Sequence, residues 1–327
     1  MGSSRQALVL RCAVSAVFLA VALWGVGVSA VLDGLLEAEP GWFALAGLIL
    51  VGSYLVGVVR WLVLLRAAGL PVAGREAARL TWIGLFFANV LPTGFGGDAV
   101  RGWMAGRSTG RMGAAASTVL VDKLAATWAL ATLGTLALLA EGDELPGEVL
   151  AATGAAVAAI AGVSTVVLVN RVPPLARRSP RIAAALGSMQ AAVAQLRAGR
   201  VLAAAFGLSL LAQGLAILAS LAVARSLQLD LSLALVAATV PVALLAGVVP
   251  ISVNGIGVRE AVFRALLVPA GIAAADAVAF SVAMTLLGAV VSLPGIVLWV
   301  VGRRGAPAGR SARADPRDPA RPESLAG

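Results

Sequence analysis

The sequence contains no histidine, a single cysteine and few charged residues, and each shortage excludes a class of chemistry. Without histidine, the chain can form neither a Ser-His-Asp triad nor an imidazole-ligated metal site. Cys12 has no partner in the chain for a disulfide or a CxxC motif. Asp, Glu, Lys and Arg make up 13% of the 327 residues, about half the share that is typical of soluble domains.

Hydrophobic residues are correspondingly abundant. They make up 60% of the chain, and its mean hydropathy is +0.96, which is more apolar surface than a soluble core can bury. A helix needs about 20 apolar residues to cross the hydrocarbon layer. The sequence therefore predicts an all-α polytopic membrane protein with six full spans: 12–32, 42–59, 113–140, 149–169, 201–224 and 275–301. Trp42, Trp61 and Trp299 lie at span ends, where interfacial aromatic residues are expected.

The distribution of Lys and Arg predicts the orientation. Loops 33–41 and 141–148 contain seven acidic residues and no Lys or Arg, whereas 21 of the 25 basic residues lie on the opposite side. The positive-inside rule places that side and both termini in the cytoplasm, with the protein in the cytoplasmic (plasma) membrane. Since the net charge of +9 is then mostly an orientation signal, we expect no nucleic acid partner. An uncleaved anchor fits the first apolar run better than a signal peptide cleaved after residue 30.

We expect one transmembrane domain over residues 1–301, followed by a disordered cytoplasmic tail over 302–327 that is rich in Arg, Pro, Gly and Asp. Within the transmembrane domain, span 149–169 and the cytoplasmic segment 170–200 connect two halves, residues 42–140 and 201–301. Apolar residues repeat at steps of three and four in 182–196, which favours a helix on the cytoplasmic leaflet over a solvated connector.

Two shorter apolar runs, 80–91 and 231–249, each end in a segment rich in Pro and Gly. Pro92 and Pro250 each remove a helix donor and restrict the preceding residue, so the helices should break there. Irregular backbone is tolerated at membrane depth only where protein buries it or where it lines a cavity. The helices are predicted to restart near Asp98 and Ile256.

The two broken segments match each other without a gap. When the prolines are aligned, Gly97 falls on Gly255 and Arg101 falls on Arg259. If the first segment crossed the membrane fully, the arginines after it would lie outside, so a re-entrant hairpin from the cytoplasm is favoured. The second hairpin would enter from outside. The sequence thus predicts an inverted repeat of half-units 42–140 and 201–301, a common transporter plan, with a pair of purely structural kinks as the alternative.

Charged residues at membrane depth indicate a site, because each isolated charge there costs about 2.5–3.5 kcal/mol on insertion scales. They either form structural ion pairs or line a polar cavity that binds an anionic head group, and we favour the cavity. The predicted substrate-binding residues are Asn89, Pro92, Thr93, Gly96, Gly97, Asp98, Arg101, Asp122, Lys123, Pro250, Ser252, Asn254, Gly255, Gly257, Arg259 and Glu260.

Other motifs do not fit. Gly255 and Gly257 lack the third glycine of a dinucleotide fingerprint, and the glycines at 94–97 lack the Lys of a phosphate loop. No paired-carboxylate metal motif is present. We therefore expect no metal, no cofactor and no catalytic residue.

Several short motifs carry a family resemblance: Arg60-Trp61, Asn89-x-x-Pro92-Thr93, Gly96-Gly97-Asp98-x-x-Arg101, Pro250-x-Ser252 and Gly255-x-Gly257-x-Arg259-Glu260. Over residues 11–301 the sequence resembles the flippase-like family that shares the membrane domain of lysylphosphatidylglycerol synthases. The resemblance implies the movement of aminoacylated phospholipids, or a part in glycolipid or hopanoid pathways. It does not extend to the soluble aminoacyl-transferase domain of the synthases, so that activity is not expected.

The leading hypothesis is translocation of an anionic phospholipid, an aminoacylated lipid or a lipid-linked glycan. In it, Arg101 and Arg259 bind phosphate, and Asp98 and Glu260 orient the two guanidinium groups. The expected partners are membrane lipids with anionic head groups. Two alternatives remain: an intramembrane lipid-phosphate transferase, which would need a general base and usually a metal, and a non-catalytic membrane partner of a lipid or glycolipid synthase.

Overall fold

The computed structural model describes residues 28–91, 96–141, 199–248 and 255–304, together with Ser252, parts of 13–23 and single positions within 147–158. These residues form α-helices and no strands. The helices are α1 (Val28–Leu36), α2 (Pro40–Ala67), α3 (Gly74–Val90), α4 (Gly96–Thr109), α5 (Met112–Glu141), α6 (Gly199–Ser226), α7 (Leu233–Val248), α8 (Val258–Leu267), α9 (Ala274–Ser292) and α10 (Pro294–Arg304).

Four helices in the described part of the chain are long and apolar enough to cross a membrane: Pro40–Ala67, Met112–Ala137, Gly199–Ser226 and Ala274–Gly302. They confirm the predicted spans 42–59, 113–140, 201–224 and 275–301 as membrane-length helices. Most of the predicted span 12–32 is described, and those residues are helical, whereas the predicted span 149–169, the segment 170–200 and the tail 302–327 lie largely outside the described residues.

Helix α2 is longer than the sequence predicted. The span was expected to end at Val59, but the helix continues to Ala67, and the chain then turns at Gly69, whose φ is +66°. A left-handed φ of this kind suits glycine, which has no Cβ. Arg60 and Trp61 therefore belong to the helix and not to a loop, and both are buried.

The two broken segments form helix pairs, α3 with α4 and α7 with α8. The second helix of each pair begins within two residues of the predicted restart, at Gly96 and Val258. Helix α3 of the first pair contacts α2, and α7 of the second pair contacts α6; α2 and α6 are the long helices that pack along each other.

The helix contacts are reciprocal between the two halves. If α2–α5 are matched in order with α6–α9 and its continuation α10, each contact in one half has a counterpart in the other. The contact of α4 with α5 matches that of α8 with α9, and the contact of α7 with α5 matches that of α3 with α10. Each hairpin thus lies between the last span of its own half and that of the other half.

Each half also has its own apolar core. One contains Trp61, Leu64, Leu65 and Leu80, and the other contains Phe263 and Phe280 with residues of α6 and α7. The two phenylalanine rings meet edge to face, with their centroids 5.2 Å apart. The charged residues described next lie beside the first core.

Candidate functional site

Asp122 of α5 holds three helices together in the interior. Its carboxylate accepts hydrogen bonds from Nε and Nη2 of Arg60 on α2, and from Nη2 of Arg101 on α4 at 2.7 Å. Only 2% of the Asp122 side chain is exposed. Arg60 also donates from Nη1 to the Ser209 hydroxyl of α6, 3.1 Å away. One buried carboxylate thus joins α2, α4 and α5, and Arg60 links them to α6.

A second carboxylate extends this network towards the surface of the bundle. Asp98 pairs with Arg101 at 2.9 Å and with Lys123 at 3.2 Å. The three cations, Arg60, Arg101 and Lys123, outnumber the two carboxylates by one. This charged cluster therefore carries one net positive charge.

The Arg101 guanidinium is held on its other face by an aromatic ring. Its Cζ lies 4.8 Å from the centre of the Trp61 ring, which is the distance of a cation–π contact. The Trp61 indole is fully buried and donates its N–H to the Thr118 hydroxyl at 3.1 Å. The prediction that Trp61 is an interfacial anchor is wrong, because α2 continues past it and neighbouring helices cover the ring.

A cavity of about 240 Å³ opens beside the charged cluster. Side chains of α2–α6 line it, including all five charged residues of the cluster, with Ser53, Tyr54, Thr81 and Gln213 completing its polar wall. The Nε of Arg101 is buried and has no hydrogen-bond partner among the described residues. A polar or anionic ligand in the cavity can supply that partner.

Close backbone contact places Arg101 in this cavity. Gly97 packs directly against the carbonyl of Gly84 on α3, with no room for a Cβ between them. A Cβ on Gly84 would also lie 3.4 Å from the Cβ of Arg101. Two glycines thus let α4 cross α3 closely enough to place the arginine over α3.

The second half repeats this arrangement with different chemistry. Gly255, whose φ is +77°, packs against Gly247 of α7, and a Cβ on Gly247 would lie 3.2 Å from Cδ of Arg259. Arg259 donates from Nη2 to the Thr285 hydroxyl at 3.2 Å, and its buried Nε has no partner among the described residues. No carboxylate in the described chain forms an ion pair with it.

Glu260 does not orient Arg259, contrary to the sequence-based hypothesis. One carboxylate oxygen accepts the backbone N–H of Gly257 at 2.6 Å, and the other accepts the Ser281 hydroxyl at 3.1 Å. Adjacent helical residues point in different directions, so Glu260 caps the start of α8 while Arg259 faces α9. Asp98, by contrast, contacts Arg101 as expected.

Arg259 lines a second cavity, of about 280 Å³. The two cavities share five lining residues: Ser53, Tyr54, Leu85, Ala88 and Gln213. They are therefore neighbours that share part of their walls. One contains the charged cluster and the other contains a single buried guanidinium.

Of the other predicted site residues, four are described by the structure and four are not. Asn89 donates to the Ser292 hydroxyl at 3.1 Å, and Ser252 has a buried hydroxyl with no partner in the described part of the chain. Gly96 is buried at the start of α4, and Gly257 has a φ of +84°. Pro92, Thr93, Pro250 and Asn254 lie outside the described residues.

The sequence-based site omitted Arg60, Ser209, Tyr54 and Gln213. Arg60 was assigned to a cytoplasmic loop, although the apolar run after it, Trp61 to Leu65, was a signal that the helix continues. Tyr54 and Gln213 are polar residues inside predicted spans. Polar residues in such spans tend to face the bundle interior, and that signal was available.

The family model described as the lysylphosphatidylglycerol synthase TM region matches residues 8–295. Because this match covers most of the chain, the protein belongs to that family. No curated protein matches the sequence. The family and the apolar helices together identify a multi-pass membrane protein with a function related to membrane lipids.

Proposed function

We propose that this member of the lysylphosphatidylglycerol synthase TM-region family moves a lipid with an anionic, phosphate-containing head group across the cytoplasmic membrane. The observation that carries the proposal is the cavity beside Arg101, which lies within a bundle of membrane-length helices. The five charged residues that line this cavity have one net positive charge. A charged head group crosses hydrocarbon only at great cost. A polar, cationic cavity removes much of that cost.

Arg101 and Arg259 are the proposed phosphate ligands. A guanidinium group donates two parallel hydrogen bonds to a phosphate, and each of these arginines has a buried Nε without a partner among the described residues. Asp98 and Asp122 already neutralise much of the charge around Arg101. Such partial neutralisation weakens the hold on phosphate, and a transporter must release its ligand.

We also propose that the two halves are inverted copies and that α3–α4 and α7–α8 are re-entrant hairpins. The reciprocal helix contacts support this, as does the shared local geometry in which a glycine after each break packs on a glycine of the preceding helix. In that topology both termini are cytoplasmic, and the two arginines lie in adjoining cavities. Inverted repeats of this kind allow a site to open alternately to each side.

The proposed substrates share a phosphate next to a lipid anchor: anionic phospholipids, aminoacylated phospholipids and lipid-linked glycans. The proposed activity is transport, and the lipid leaves unaltered. The charged residues of the two cavities form ion pairs with one another or hydrogen bonds with hydroxyl groups. This arrangement is suited to binding.

The test is lipid exchange in phosphatidylcholine vesicles that contain the purified protein and a trace of head-group-labelled phosphatidylglycerol. A quencher that cannot cross the bilayer reports how fast label leaves the inner leaflet. We expect faster exchange with the protein, and loss of that acceleration in Arg259→Ala. Arg225→Ala is the matched control, because Arg225 is exposed and pairs with Asp230 outside both cavities. The absence of acceleration for anionic, aminoacylated and polyprenyl-linked lipids alike would contradict the proposal.

A further inference from the structure

A groove of about 390 Å³ runs along the seam between α4 and α5. Its lining is apolar except at one end, where Asp98 and Lys123 lie. Five of the lining residues belong to α5: Met112, Ala116, Val119, Leu120 and Lys123. On α5 the lining residues follow steps of four, three, one and three, so they form one stripe of the helix. The groove is distinct from the cavity of about 240 Å³ beside the charged cluster, which is called the central cavity below, but Asp98 and Lys123 line both.

The outer walls of the groove are exposed, whereas part of its floor is buried. Trp103 and Met112 are 51% and 47% exposed, whereas Val119 is 8% exposed. Lys123 lies 11 residues along α5 from Met112, about 16 Å at 1.5 Å per residue. The groove therefore leads from the end of a membrane-length helix to roughly half the depth of the hydrocarbon layer.

Glycine and alanine make the seam narrow where it is buried. A Cβ on Gly102 would lie 3.2 Å from Cγ2 of Val119, so the two helices touch at the floor of the groove. The outer walls include Trp103 and Met112, which are exposed, so the apolar channel opens at the surface of the bundle. In a membrane, such a surface faces acyl chains and not water.

The inner end has the opposite chemistry. The Asp98–Lys123 pair, 3.2 Å long, separates the groove from the central cavity, and its side chains are 22% and 33% exposed. Like the Asp98 carboxylate, a phosphate group accepts charge-assisted hydrogen bonds from an ammonium group, so an incoming phosphate can replace Asp98 as the partner of Lys123. Asp98 keeps its contact with Arg101 when that happens.

From this geometry we infer that the α4–α5 groove is the lateral entrance for the lipid: an acyl chain lies in the groove while the phosphate binds Lys123 in place of Asp98. The inference rests on the proposed function, since it names the route by which the same substrate reaches the central cavity. It commits to a glycerolipid with a phosphate, because an apolar channel that ends at a cation matches a chain attached to an anion.

Photolabelling tests the binding part without requiring transport. Phosphatidylglycerol with a diazirine in its acyl chain is compared with a diacylglycerol carrying the same chain, each in phosphatidylcholine vesicles containing the protein. We expect phosphatidylglycerol to give at least threefold more adduct within 112–123 than diacylglycerol, and no preference around Leu139, an exposed residue of the same helix. Lys123→Gln should abolish the preference. Equal labelling of 112–123 by the two lipids would overturn the inference.

Blocking the groove tests the route. In a Cys12→Ser background, Ala116→Cys places a thiol on the exposed wall, and Leu139→Cys is the control outside the groove. A bulky maleimide on Ala116→Cys should slow lipid exchange at least tenfold and leave Leu139→Cys unaffected. If both labelled variants exchange lipid at the unlabelled rate, the entrance is wrong while the proposed function stands. If the unlabelled protein exchanges no lipid yet 112–123 prefers phosphatidylglycerol, the lipid site stands and transport fails.

Discussion

Arg60 and Asp122 are 62 residues apart in the sequence and form a two-point ion pair inside the bundle, with Nη2 and Oδ2 separated by 3.1 Å. Arg101 shares the same carboxylate, so one anion joins α2, α4 and α5. Breaking a buried pair leaves a charge without compensation, which is far more costly than losing an exposed pair. Asp122 is therefore the residue on which the charged cluster depends for stability.

Replacing Asp122 by Asn should destabilise the protein by about 3–5 kcal/mol, because Arg60 loses its carboxylate and Arg101 loses one of two. The free energy of unfolding, measured by denaturant titration in detergent micelles, checks this. Asp230→Asn is the control, because that carboxylate is 94% exposed and its ion pair in the described part of the chain is with the exposed Arg225. A similar unfolding midpoint for Asp122→Asn and wild type would show that the cluster is not structural.

Arg259→Ala should reduce lipid exchange at least tenfold with little loss of stability. No carboxylate in the described chain pairs with Arg259, so replacing this arginine leaves no described carboxylate without an ion-pair partner. Arg259→Lys should restore exchange only in part, since lysine keeps the charge and loses the two-point hydrogen bond to phosphate. Vesicle exchange rates of the three proteins decide this, with thermal unfolding as the folding check. Full activity in Arg259→Ala would rule out its role as a phosphate ligand.

Arg101→Ala should also abolish exchange, but here stability should fall as well. Asp98 and Asp122 each lose the ion pair with Arg101, and the Trp61 ring loses its cation–π contact. Arg60 still neutralises Asp122, so the loss should be smaller than for Asp122→Asn. Unfolding of both variants in the same detergent gives the order, and the reverse order would contradict the assignment.

Glu260→Ala should act on the fold and not on phosphate binding directly. It removes the acceptor for the Gly257 N–H and the Ser281 hydroxyl, so the start of α8 should lose about 1 kcal/mol of stability. Glu260→Gln keeps an acceptor oxygen and should be milder. Equal loss of exchange in both variants at unchanged stability would instead favour a direct role for the Glu260 charge.

Gly97→Ala should disrupt the α3–α4 crossing, because the new methyl group would overlap the Gly84 carbonyl and Ala88. Overpacking of this kind typically costs about 1–3 kcal/mol. Gly207→Ala is the matched control: it lies within α6, its Cβ would meet nothing within 4 Å, and alanine favours the helix. Thermal unfolding of the two variants should therefore shift in opposite directions.

Much of the fold was predictable from the sequence because hydrocarbon imposes strict rules on a chain. Four predicted spans appear as membrane-length helices, and both breaks occur after the apolar runs that end in Pro and Gly. The length and hydropathy of a segment decide whether it can span the membrane, and a proline breaks a helix where it stands. Both features can therefore be recognised from the sequence of the segment alone. The predicted end of α2 was wrong: the helix runs eight residues further, because the charge of Arg60 is typical of a loop.

The partners of the charged residues could not be predicted, since they depend on how distant helices pack. The sequence places Asp98 and Arg101 three apart on one helix and marks Arg259, Glu260, Asp122 and Lys123 as charges at depth. Only the tertiary structure brings Arg60 to Asp122 across 62 residues and turns Glu260 away from Arg259 to cap α8. The sequence by itself determined which charges must find partners in the membrane. The packing of α2, α4, α5 and α6 determined which partner each one found, because an ion pair forms only where helix crossings bring two side chains within about 4 Å.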